Sequence, residues 1–212
     1  MKNIKNIIFD LGAVLLNLDM ERTDLAFRVL IGDKNEHMAI NNKLHQQRFF
    51  ERFETNEIEE QEFVQTLISQ TKHPLTVSQI ETAWSAMLLD LPADRIEMLR
   101  KLRKSGYKLF LLSNINSIHL RDVYNIIKEE HGDLNFDALF DKPYYSHLIG
   151  RRKPNPETYR FVLEDAGIIA EETLFIDDNA DNIKGASTIG LNTVHHRPNS
   201  DISLFLDEYL KL

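Results

Sequence analysis

Short apolar runs recur along the chain, and each ends in polar residues. Ile7-Ile8-Phe9 ends at Asp10, Leu109-Phe110-Leu111-Leu112 at Ser113-Asn114, and Leu174-Phe175-Ile176 at Asp177-Asp178. Leu191 to Val194 is a weaker fourth run. Runs of this length without polar alternation predict strands covered on both faces, as in a parallel sheet. Amphipathic stretches lie between them. Ile96, Leu99 and Leu102 keep helical spacing, and Gly106 is placed to stop that helix. Asn155-Pro156 offers an N-cap and a first-turn proline. Val162, Leu163 and Ala166 would face the core from that helix, and Gly167 would end it. Ile183 and Ala186 sit on a further helix that stops near Gly190. The alternation predicts an α/β fold built on a doubly wound parallel sheet.

Residues 17–92 break the alternation and read as helical throughout. Leu25 with Val29, and Phe63 with Leu67, have helical spacing, and Thr76 with Gln79 makes a capping box before Ile80 and Trp84. This is too much helix for one crossover between strands. The expected organisation is an α/β core of residues 1–16 and 93–212, with a helical cap of residues 17–92 inserted after the first strand.

Ligands of open α/β sheets bind at the carboxyl ends of the strands. Asp10, Ser113, Asn114, Asp177 and Asp178 end the apolar runs and are candidates to meet there. Taken singly, each also suits a turn or a helix cap; their joint placement is what points to a site. Carboxylates brought together repel each other unless a cation lies among them. All-oxygen donors, with no Cys in the chain and no His ending the three stronger runs, point to Mg²⁺ rather than zinc. Lys153 could add positive charge to the same ligand, or be an exposed loop residue.

Composition removes other chemistries. The 212 residues contain no cysteine, which excludes disulfides, thiolate metal sites and cysteine nucleophiles. The formal net charge is −8, so no basic face for nucleic acid is expected. Lys2 and Lys5 precede an apolar stretch, but Asp10 interrupts it. No export signal, membrane span or membrane partner is expected, and the protein reads as cytoplasmic. Oligomeric state has no signature in the sequence.

The arrangement resembles the haloacid dehalogenase superfamily over nearly the whole chain. The first motif is Phe9-Asp10-Leu11-Gly12-Ala13-Val14-Leu15 and the second Leu111-Leu112-Ser113-Asn114. Lys153-Pro154-Asn155-Pro156 with Tyr159 is similar to the third, and Phe175 through Asn182 to the fourth. One branch of this superfamily places a helical cap between motifs one and two. Within it, the opening, the Asp-Asp-Asn-Ala-Asp-Asn run and the segment Phe50 to Glu54 with Ile58 and Phe63 resemble bacterial α-D-glucose-1-phosphate phosphatases.

The resemblance implies a Mg²⁺-dependent phosphatase acting on a small phosphorylated metabolite, such as a sugar 1-phosphate. Asp10 would be the nucleophile and form an aspartyl-phosphate. Ser113 would hydrogen-bond the phosphoryl group, with the Asn114 backbone beside it as a further substrate-binding group, and Lys153 would neutralise charge on Asp10 and phosphate. Mg²⁺ would be held by Asp10, the Gly12 carbonyl and Asp178, with Asp177 ordering ligands or bound water. Gly12 stands where the family's phosphatases carry a second aspartate, the acid that protonates the leaving group. Asn116 and His119 are the nearby candidates to replace it, with a polar helix start as the plainer role of His119. In the cap, Glu51, Arg52, Glu54 and Asn56 are expected to face the crevice.

Three other functions remain open. A 2-haloacid dehalogenase also lacks the second aspartate, but it needs no metal and has a less acidic fourth motif. A phospho-accepting receiver module has its acidic pair on the first strand, not the last. A catalytically weak metabolite-binding regulator is compatible with Gly12.

Overall fold

The computed structural model describes residues 3–197 and 200–211; Lys2 lies outside them. Strand β1 (Asn6–Phe9) is followed by helices α1 (Met20–Ile31), α2 (Lys34–Gln46), α3 (Phe49–Glu54), α4 (Glu60–Gln70) and α5 (Val77–Ser85). The chain continues through α6 (Ala93–Lys104), β2 (Lys108–Ser113), α7 (Ser117–His131), β3 (Lys142–Tyr145) and α8 (Ser146–Ile149). It closes with α9 (Pro156–Ala166), β4 (Thr173–Asp177), α10 (Ala180–Ser187), β5 (Asn192–His195) and α11 (Ile202–Leu210).

The strands form one sheet in the order β3-β2-β1-β4-β5, and every pairing is parallel. The order reverses direction at β1, so the crevice between the carboxyl ends of β1 and β4 is the switch point where such sheets bind ligands. Alternate residues of each strand enter opposite layers. Ile7, Phe9, Leu109, Leu111, Leu174 and Ile176 meet α6, α7 and α11. Ile8, Phe110, Leu112 and Phe175 meet α9 and α10. Coverage on both faces is why these runs show no polar alternation.

No strand occurs within residues 17–92, all of which are described, and a third core joins the helices there. Phe49 and Phe53 of α3 stack on Phe63 of α4 at 5.2 and 4.1 Å between ring centres. Thr76 caps α5 through the reciprocal capping box with Gln79. The two crossings between these helices and the sheet pair with each other. Asn17 N–H donates to Asp90 O at 2.9 Å, and Leu89 N–H to Asn17 O at 3.1 Å.

Two elements differ from the sequence reading. Leu25 and Val29 lie on α1 but are 52% and 71% exposed; the helix turns Thr23 and Ile31 inward instead. Strand β3 has no apolar run, because Lys142-Pro143-Tyr144-Tyr145 pairs on one side only, with β2. An edge strand tolerates proline and needs less apolar surface. Among the described residues, no helix is long and apolar enough to cross a membrane.

Candidate active site

Asp10 follows the last residue of β1, Asp177 ends β4 and Asp178 follows it. One carboxylate oxygen from each lies within 4.8 Å of the others. Lys153, the candidate with an exposed-loop alternative, is 1% exposed. Its Nζ sits 2.7 Å from Asp10 Oδ1 and 2.7 Å from Asp177 Oδ2.

The two oxygens of Asp10 have different surroundings. Oδ1 accepts from Leu11 N–H at 2.7 Å and meets Lys153. Oδ2 has no hydrogen-bond partner among the described residues. Burial pushes the Asp10 pKa up to about 7; Lys153 opposes this, and Asp177 and Asp178 add to it. Asp178, half-buried, is raised by its own burial and then by Asp177. One ammonium does not balance three carboxylates at this spacing, so the cluster suits a bound cation, and its oxygen-only donors fit Mg²⁺.

Asp177 is fully buried and does not line the cavity in front of the cluster. Its oxygens accept from Lys153 Nζ, from Asn179 N–H at 2.8 Å and from Asn182 Nδ2 at 3.0 and 3.1 Å. It therefore holds Lys153 and the start of α10 in place. Asn182 belongs to the fourth motif, but its part in fixing Asp177 was not read from the sequence.

Ser113 ends β2 and lines the same cavity, and its Oγ has no partner among the described residues. The Asn114 side chain clamps the third motif. Its Nδ2 donates to Lys153 O at 3.0 Å, and its Oδ1 accepts from Lys153 N–H at 2.9 Å. Gly12 also lines the cavity, and its carbonyl accepts no hydrogen bond among the described residues.

The proposed stand-in acids are occupied. Asn116 caps α7 by accepting from His119 N–H at 3.0 Å. His119 Nε2 lies 3.0 Å from Trp84 O and Nδ1 lies 3.3 Å from Asn116 Nδ2. A neutral imidazole protonated on Nε2 satisfies both contacts, and burial pulls its pKa down to about 4. His119 thus lacks the extra proton of a general acid at neutral pH, and its ring stacks on Trp84 at 4.9 Å.

The cavity has a volume of about 730 Å³ and runs from the acidic cluster into the helices of residues 17–92. Glu51 and Glu54 line it, while Arg52 and Asn56 do not. Arg52 points to Glu57 at 4.0 Å and Asn56 is exposed. Glu54 Oε2 accepts from Arg152 Nε at 2.9 Å, tying α3 to the loop that carries Lys153. Arg152 was missed because nothing in sequence separates it from Arg151 beside it.

A family model for haloacid dehalogenase-like hydrolases matches residues 4–190. The chain belongs to this family. It is 30% identical over 199 residues to a D-ribitol-5-phosphate phosphatase of Bacteroides thetaiotaomicron, covering 93% of this chain and 94% of that protein. A sesquiterpene phosphatase of Aspergillus oryzae is 28% identical, with 90% and 89% covered. Among solved structures, a haloacid dehalogenase family enzyme of Bacteroides thetaiotaomicron in complex with magnesium and inorganic phosphate superimposes with a TM-score of 0.83. That enzyme is 33% identical, and the match covers 95% of this chain and 98% of it. An L-2-haloacid dehalogenase, at 19% identity and TM-score 0.63, shares the fold.

Proposed function

We propose that the protein is a Mg²⁺-dependent phosphatase that hydrolyses a small phosphorylated metabolite through an aspartyl-phosphate on Asp10. The observation that carries this is the split environment of Asp10: Lys153 and Leu11 N–H hold Oδ1, and Oδ2 is left without a partner. Phosphatase relatives and a magnesium- and phosphate-bound structural neighbour support the same reading.

Asp10, the Gly12 carbonyl and Asp178 would hold Mg²⁺. When bound, the ion supplies positive charge against the phosphoryl oxygens. Asp10 Oδ2 attacks phosphorus as the bond to the leaving oxygen breaks. Lys153 balances the charge of Asp10 and phosphate, and Ser113 Oγ donates to a phosphoryl oxygen. Water then hydrolyses the aspartyl-phosphate, which restores Asp10 and releases phosphate. Positioning and charge stabilisation carry most of such a reaction. In this reading residues 1–16 and 93–212 are the catalytic core and residues 17–92 a cap over it.

Gly12 supplies no acid, so substrates whose leaving oxygen tolerates charge are favoured. The anomeric oxygen of a sugar 1-phosphate meets this condition, which agrees with the resemblance to glucose-1-phosphate phosphatases. The ribitol-phosphatase relative supports a second class, polyol phosphates, whose leaving oxygen is that of an ordinary alcohol and gains nothing from this condition. Repulsion among Asp10, Asp177 and Asp178 without a cation argues against the metal-free dehalogenase reading. The test is a screen of phosphorylated sugars, polyols and haloacids with and without Mg²⁺. Mg²⁺-dependent phosphate release is expected, and chloride release without Mg²⁺ would overturn the reading.

A further inference from the structure

We propose that Arg152, Glu54 and Glu51 select an uncharged, hydroxyl-rich leaving group and turn away substrates carrying a second phosphate or carboxylate. This rests on the phosphatase reading above and sharpens it. Glu51 and Glu54 are three residues apart on α3, a spacing that places side chains on one helix face, and both line the cavity with Arg152. The Glu54 and Arg152 side chains are only 23% and 28% exposed.

Glu54 engages Arg152 through Nε alone. The Nη1 and Nη2 atoms have no partner among the described residues, so the pair orients the guanidinium and leaves donors for a ligand. Arg152 also has its carbonyl fixed by Thr158 Oγ1 at 2.8 Å, which anchors the residue next to Lys153.

The local charge decides what kind of oxygen those donors meet. Glu54 cancels the charge of Arg152, and Glu51 adds a negative one. Asp24 adds a further, half-exposed carboxylate to the lining, 3.5 Å from His37. With Glu54 and Arg152 balanced, Glu51 and Asp24 leave this wall net negative, which repels a second anion. A hydroxyl both donates and accepts, so it can serve a glutamate and the guanidinium alike. A purely apolar leaving group would cover these groups and satisfy none of them. The cavity volume of about 730 Å³ accommodates a sugar-sized group.

The test measures kcat/KM with saturating Mg²⁺ at a mildly alkaline pH. Its substrates are p-nitrophenyl phosphate, a pentitol monophosphate, the matched pentitol bisphosphate and n-pentyl phosphate. The pentitol monophosphate should exceed both n-pentyl phosphate and the bisphosphate by ~10-fold or more, the scale of one charge-assisted hydrogen bond. Arg152→Met and Glu54→Gln should each lower the ratio of pentitol monophosphate to n-pentyl phosphate by about 10-fold. Glu51→Lys should raise the bisphosphate relative to the monophosphate. Equal turnover of n-pentyl and pentitol phosphates by the unaltered protein, with p-nitrophenyl phosphate hydrolysed, would overturn this inference alone. No hydrolysis of any ester would overturn the phosphatase reading and this inference with it.

Discussion

A Cβ on Gly12 would lie 2.6 Å from Leu18 Cδ1 and 3.5 Å from its Cγ. The missing acid is therefore tied to a packed neighbour, a fact that no motif in the sequence discloses. Gly12→Asp alone must displace the Leu18 side chain. Gly12→Asp combined with Leu18→Ala is expected to accelerate alkyl phosphates more than the single change. The full effect of a general acid is about 10²–10⁴-fold, and rates for phosphate esters of graded leaving-group acidity would check it. His119 is the other residue whose part needed the structure: the sequence gives a polar residue near a helix start, not a ring locked between Asn116 and Trp84. Its pKa is pulled from 6.5 to about 4 in the folded protein. The unfolded chain binds this proton first as pH falls, so His119 lowers stability progressively from about pH 6.5 down to about 4, by up to ~1.4 kcal/mol per pH unit. Urea unfolding of the unaltered protein and of His119→Gln at pH values across that window should show a shallower acid loss for the variant.

The strands of the sheet centre were legible because burial on both faces leaves an unbroken apolar run, whereas edge strand β3 left no such trace. Helix period was legible in α1, but its buried face was not, since Leu25 and Val29 have the right spacing and the wrong side. Gly185 of α10 marks a close approach that spacing alone does not reveal. A Cβ there would meet Pro154 O at 2.2 Å and Pro154 C at 3.2 Å. The contact is with the backbone next to Lys153, so a side chain at 185 must push α10 away from the third motif. Gly185→Ala is expected to cost about 1–3 kcal/mol and to lower turnover by shifting Lys153 relative to Asp177. Chemical denaturation and kcat on one substrate would check both effects.

At the scale of the whole molecule, the order of motifs predicted which residues meet at the switch point, but not how firmly the helices of residues 17–92 are docked. Ile118, at the start of α7, is fully buried in their core with Phe49, Phe53 and Phe63. Ser117 Oγ donates to Glu60 Oε2, and Arg121 pairs with Glu60 and Glu81. Sequence could not disclose this, because α7 belongs to the sheet layer by chain order. Ile118→Ala should destabilise the protein by about 2–5 kcal/mol, measured by urea unfolding. The acidic cluster makes a separate prediction. Mg²⁺ should raise the thermal midpoint of the unaltered protein, since a ligand of the native state stabilises it, and should raise that of Asp178→Asn less. The role of Asp10 as nucleophile is tested most directly by phosphate release from Asp10→Asn with Mg²⁺, with circular dichroism to establish that the near-isosteric change preserves the fold. A folded protein without turnover is expected. Phosphate release at the rate of the unaltered protein would contradict that role.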